Sequence, residues 1–122
     1  GTYDLDGDAL LEFIDLELDP NDPEAHRIMG AVKLMFEGDM EAAIFHHEKA
    51  IDMCPSDTYH IARYAILLCY LGEPDRGLSE INRAMRIDPF CSDLLLETQG
   101  LCFYLLEKYN DALASLKKMQ ID

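Results

Sequence analysis

Apolar residues recur three and four positions apart through nearly the whole chain, the spacing expected of helices that each bury one face. Turn signals interrupt this pattern at Asp19-Pro20-Asn21-Asp22-Pro23, Glu37-Gly38-Asp39, Cys54-Pro55-Ser56-Asp57, Gly72-Glu73-Pro74-Asp75 and Asp88-Pro89. The segments between them are about 12 to 15 residues long, and none alternates apolar and polar residues far enough to suggest a sheet. The pattern predicts seven helices, roughly 8–18, 24–36, 40–53, 58–71, 74–87, 93–106 and 109–120. Connections this short make consecutive helices antiparallel pairs.

A period is superimposed on the helices. Gly38, Ala43, Ala50 and Pro55 recur 34 residues later as Gly72, Gly77, Ala84 and Pro89. A third copy follows one residue late, with Ala112 at the place of Ala43 and Gly77, Tyr109 ahead of it and Leu116 beyond it. Such a period marks a helical repeat array. The small residues Ala31, Ala65 and Gly100 in the first helices, and Ala43, Gly77 and Ala112 in the second, let paired backbones approach. Pro55 and Pro89 stop the second helices, and Met119 stands in the third copy where Ala50 and Ala84 stand in the others.

These positions resemble the tetratricopeptide repeat. Against its pattern the units are 24–57, 58–91 and a clipped 93–122, with Ser92 inserted and 8–22 a degenerate leading helix. The resemblance implies one domain over 1–122, an all-α right-handed solenoid of three helical hairpins preceded by one extra helix. Two departures fall in the first unit. Arg27 stands where a large apolar residue is usual, and Gly30 lies one place before the expected small residue. Sliding this helix by one would put Lys33 in the hairpin core in place of Leu34, so the expected register is the one that buries Leu34. The stretches Leu18 to Arg27, Ala84 to Phe90 and Ala112 to Met119 also resemble the repeat segment of bacterial class III adenylate and guanylate cyclases. That resemblance implies a catalytic domain outside this chain.

Composition narrows the function classes. An apolar share of 49% is enough for a real core, and a net charge of −14 opposes binding to nucleic acid or anionic membranes through a general field. Residues 1–24 hold nine acids and no Lys or Arg, which fits either a solvated first helix or a docking surface for a basic partner. Cys54, Cys69, Cys91 and Cys102 lack the close spacing of zinc or redox motifs, so reduced thiols and a cytoplasmic setting are expected. No membrane-spanning run or basic leader is legible.

Candidate chemistry is sparse. In His46-His47-Glu48, neighbours on a helix point about 100° apart and cannot all face one ion. His47 falls at the inward position held by Ile81 and Leu116 in the other units, and His26 and His60 have no ligand set around them. Asp4-Leu5-Asp6-Gly7-Asp8 has the flavour of a calcium loop, but Ala9 and Asp15 stand where a Gly and a bidentate Glu are needed. No phosphate-binding, dinucleotide or nucleophile-elbow motif occurs, so no enzyme activity, metal or cofactor is expected.

In the tetratricopeptide arrays that this chain resembles, first helices line a concave groove. The corresponding outward residues are Ala25, Ile28, Val32, Met35 and Phe36; Tyr59, Ala62, Ile66, Cys69 and Tyr70; and Leu94, Glu97, Leu101, Tyr104 and Leu105. The set is strongly apolar, and large apolar patches are seldom left open. Three covers fit it: ordinary inter-helix core, a protein or peptide segment from the same parent or another chain, or a second copy. Relatives that grip a chaperone's terminal carboxylate use Lys and Asn at groove positions where this chain has Ile28, Val32, Ala62, Ile66 and Leu101, with only Lys33 and Arg63 nearby. A carboxylate clamp is therefore not expected. Tyr109, Leu113 and Leu116 form a second candidate interface at the C-terminal edge, where a homodimer could form. The expectation is a non-catalytic protein-interaction or regulatory module of a larger cytoplasmic protein, with a structural homo-oligomerisation element as the alternative.

Overall fold

A computed structural model describes residues 19–119. Six helices occupy them: α1 (Pro23–Glu37), α2 (Met40–Met53), α3 (Thr58–Tyr70), α4 (Pro74–Ile87), α5 (Asp93–Leu105) and α6 (Tyr109–Lys117), with no strand among the described residues. The expected helix at 8–18 and the acidic run Asp4 to Asp8 lie outside them. The last helix is shorter than its pattern suggested, since Lys118 and Met119 follow it as turn and bend. The chain divides into two compact units, residues 1–55 and 56–122. Among the described residues the first holds α1 and α2, and the second holds α3 to α6.

Local chemistry sets the helix boundaries. Asp22, Asp39 and Asp57 accept from the backbone amides of Glu24, Ala42 and Tyr59 at 2.9, 3.0 and 3.0 Å, and Ser92 Oγ accepts from Leu95 N at 3.4 Å. Each bond satisfies an amide that has no partner within its helix. No side chain caps α4; it opens with Pro74, whose missing N–H costs nothing in a first turn. Gly38 and Gly72 end α1 and α3 at φ of 64° and 83°, and at the matching place in the third hairpin the backbone reaches φ 62° at Glu107.

In the first unit, Ala25, Met29 and Gly30 of α1 are buried with Ala43, His47, Ala50 and Ile51 of α2, and the two helices pack together. The structure corrects the expected register here. Gly30, not Ala31, makes the close approach: a Cβ on it would lie 2.7 Å from His47 Nδ1 and 3.1 Å from the Ala43 carbonyl oxygen. Ala31, Lys33 and Leu34 are all half-buried. The cause is the size and fixed direction of the His47 ring, whose Nδ1–H donates to Ala43 O at 2.9 Å and which therefore needs a bare backbone opposite.

In the second unit α3 packs on both α4 and α5, and α5 packs also on α6. Ile61, Leu68, Ile81, Leu95 and Cys102 are fully buried. Small residues act where the period placed them: a Cβ on Gly77 would come within 3.0 Å of Ala65 O, and one on Gly100 within 3.0 Å of the Leu116 side chain. A polar chain ties three helices together. Ser115 Oγ donates to Gln99 Oε1 at 2.8 Å, and Gln99 Nε2 donates to Asn82 Oδ1 at 3.0 Å. Bonds of this kind contribute about 1 kcal/mol each.

Candidate protein-interaction surface

On α1, Ile28 and Val32 are half-buried, while Met35 and Phe36 are 76% and 53% exposed at the C-terminal end. Ala25, expected to face outward, is buried. Lys33, one of the two cations near the position of a carboxylate clamp, lies 3.4 Å from Glu37 one turn along its own helix. The neighbouring histidines are absorbed by structure. His26 Nε2–H donates to Pro20 O at 2.8 Å, which leaves its Nδ1 to accept from His46 Nδ1–H at 3.1 Å. His46 and His47 thus serve different contacts, His46 towards α1's His26 and His47 within the hairpin core.

On α3, Tyr59 and Tyr70 are exposed and Ile66 is half-buried. Ala62 and Cys69 are buried, contrary to the outward placement expected of them. The reason is that α3 lies against two partners, α4 and α5, so eight of its 13 residues are enclosed and little outward face remains. On α5, Glu97, Leu101, Tyr104 and Leu105 are exposed and Leu94 is half-buried.

Part of this set converges. Ile66, Leu94, Glu97, Thr98, Gly100, Leu101, Tyr104, Ala112 and Leu116 line a recess of about 450 Å³ within the second unit. Leu116, expected at a separate C-terminal surface, thus shares a recess with Ile66, Leu101 and Tyr104. The Tyr109 ring lies 5.7 Å from that of Tyr104, so the two candidate surfaces adjoin. Leu113 is exposed on α6 and does not line the recess. Thr98 satisfies its own hydroxyl by donating to Leu94 O at 2.7 Å, and Glu97 is the one charged residue in the lining. Such walls suit apolar side chains, not a carboxylate.

A second recess, of about 600 Å³, escaped the sequence reading. Met85, Phe90, Cys91, Asp93, Leu96 and Lys118 are among its lining residues, and Phe90 is 96% exposed. The signal for it was an aromatic residue directly after Pro89 in an otherwise polar turn.

Helical hairpins with small residues at each crossing, left-handed turns between partners and proline-ended second helices define a tetratricopeptide-type all-α fold. No protein-family model matches the chain, and no curated protein matches it. Solved structures do. A crystal structure of MamA matches with a TM-score of 0.71 and 20% identity over 92% of this chain and 66% of that one. A MamA segment, 41-end, from Desulfovibrio magneticus RS-1 matches with a TM-score of 0.68 and 18% identity over 92% and 63%. The first TPR of Spaghetti (RPAP3), bound to the HSP90 peptide SRMEEVD, gives 0.66 and 18% over 82% and 78%. The chain spans a little under two thirds of the MamA chains it matches. At these identities the likeness is one of fold, an α-solenoid of helical hairpins.

Proposed function

We propose that this chain is a non-catalytic protein-interaction module of a larger protein, and that its second unit takes apolar side chains of a protein or peptide partner into the recess between Ile66, Leu101, Tyr104 and Leu116. The open apolar recess carries this reading: covering even ~400 Å² of such surface contributes on the order of 10 kcal/mol gross, before association and ordering costs. A fold neighbour that holds a peptide, the RPAP3 domain, supports the mode of binding but not the chemistry of its ligand. Ile28, Val32, Met35 and Phe36 on α1, and Tyr59 and Tyr70 on α3, are further proposed contacts. The parent we propose is a cytoplasmic bacterial adenylate or guanylate cyclase, on the strength of the three stretches that resemble its repeat segment. The test is selection of binders from a displayed peptide library on the whole chain. Apolar peptides that lose affinity for Leu101→Asp, with unchanged helix content, support the reading; no selected peptide, or binding indifferent to that change, overturns it.

A homo-oligomerisation element is the second reading, favoured by the exposure of Tyr109, Leu113 and Leu116 along α6. Light scattering decides it: a monomer at high micromolar concentration removes this reading and leaves the first intact.

A further inference from the structure

Cys69 on α3 and Cys102 on α5 meet inside the second unit, with their Sγ atoms 3.4 Å apart. Both residues are buried, Cys69 at 8% exposure and Cys102 at 0%. Gly77 on α4 faces the pair: a Cβ on it would lie 3.2 Å from Cys69 Sγ and 3.3 Å from Cys102 Sγ. The missing side chain is what gives two sulfurs room to lie side by side. A disulfide requires an S–S separation of about 2.05 Å, so the two sulfurs must close by a little over one ångström.

We propose that Cys69 and Cys102 form a reversible intramolecular disulfide when hydrogen peroxide reaches them, linking α3 to α5 across consecutive repeats. The pair divides the labour. Donation from the Cys102 S–H holds the Cys69 thiol below the ordinary thiol range, while the same bond and then burial push Cys102 up. Cys69 is thus the attacking thiolate and Cys102 the resolving group.

The steps balance. Cys69–S⁻ attacks one peroxide oxygen, the O–O bond breaks, and sulfenic acid and hydroxide result. Hydroxide takes the Cys102 proton and becomes water. The Cys102 thiolate then attacks Cys69 Sγ, the S–O bond breaks, and the departing hydroxide takes up the proton first lost by Cys69. Two thiols and one peroxide become one disulfide and two waters. Burial favours a small oxidant such as hydrogen peroxide over bulkier disulfides, since Cys69 and Cys102 are 8% and 0% exposed. The cross-link also joins two walls of the apolar recess, since Ile66 lies on α3 and Leu94, Leu101 and Tyr104 lie on α5.

The experiment uses the whole chain carrying Cys54→Ser and Cys91→Ser, so that only this pair remains. The native protein is treated with peroxide, quenched, unfolded and alkylated with iodoacetamide. Expected is joint loss of both alkylation sites, an intact monomer two hydrogens lighter, one linked peptide pair after digestion, and full reversal by dithiothreitol. Adding Cys102→Ser should stop the reaction at a Cys69 sulfenic acid that dimedone traps. Two thiols that stay alkylatable, oxygen added to one cysteine while both sulfurs remain unlinked, or disulfides between chains would each overturn the proposal.

Discussion

The imidazole of His47 packs on the bare backbone of Gly30, where an added Cβ would lie 2.7 Å from Nδ1. Two effects oppose each other in Gly30→Ala. Helix propensity favours alanine by about 1 kcal/mol, while forcing atoms into a packed site costs about 1–3 kcal/mol. The ring cannot swing away without losing its bond to Ala43 O, so the clash wins. The expected outcome is a net loss of about 1 kcal/mol in urea unfolding. In a His47→Ala background the ring is gone and only the 3.1 Å approach to Ala43 O remains, so the helix-propensity gain should win and the same change should stabilise. A change of sign between the two backgrounds is the result that matters; additive effects would refute the pairing.

The same contact marks a limit of the sequence. The period located Gly38 and Gly72, the Ala65–Gly77 crossing and the proline-ended helices, because each depends on backbone demands that a residue type announces by itself. It misplaced the α1 crossing by one residue because the deciding feature, a histidine ring aimed across the hairpin, has no counterpart in the other units. Ala62 and Cys69 were read as outward because a helix's outer face follows from its neighbours, and α5's approach to α3 is not written in α3. The recess is half legible in the sequence: Ile66, Leu94, Glu97, Leu101, Tyr104 and Leu116 stand out, but as two separate surfaces, and Thr98, Gly100 and Ala112 do not stand out as lining. The Cys69–Cys102 contact had a faint trace, two cysteines almost one repeat apart in consecutive first helices.

Glu107 occupies a left-handed turn at φ 62° where the earlier units have glycine. The turns are otherwise alike: Glu73 N donates to Leu68 O at 2.8 Å, and Lys108 N donates to Phe103 O at 2.8 Å. A side chain in this conformation costs about 1–2 kcal/mol, and part of the relief on removing it is offset by the greater freedom of unfolded glycine. Glu107→Gly should therefore stabilise by about 0.5–1 kcal/mol. Gly72→Ala should destabilise by a similar amount although nothing lies within 4 Å of the new Cβ, which isolates the backbone as the cause. Thermal melts of both variants check this; an unchanged or lowered midpoint for Glu107→Gly would contradict it.

Gln99 is the middle of the polar chain from Asn82 on α4 to Ser115 on α6. Gln99→Leu keeps the bulk but takes the nearer acceptor from the buried Ser115 hydroxyl, leaving it only the longer bond to Asp111 O at 3.2 Å, and also removes the donor to Asn82. A loss of about 1–3 kcal/mol is expected. Ser115→Ala alone should cost only about 1 kcal/mol, because Gln99 is partly open to water and recovers a partner there. Equal losses for the two changes would show that the glutamine does not bridge the helices.

Ligand preference follows from what surrounds the recess. Glu97 is the single charge in its lining, so nothing there is placed to hold a terminal carboxylate. The peptide SRMEEVD should show no saturable binding to this chain in fluorescence polarisation. An apolar peptide selected on the chain should bind, and Tyr104→Ala should weaken it by about tenfold or more, equivalent to about 1.4 kcal/mol. Tyr104 is 60% exposed, so its loss should leave the melting midpoint nearly unchanged. Saturable binding of SRMEEVD would refute the apolar assignment. A collapse of folding in Tyr104→Ala would instead make this ring part of the core, and the binding surface would then have to be sought elsewhere on the second unit, around Phe90.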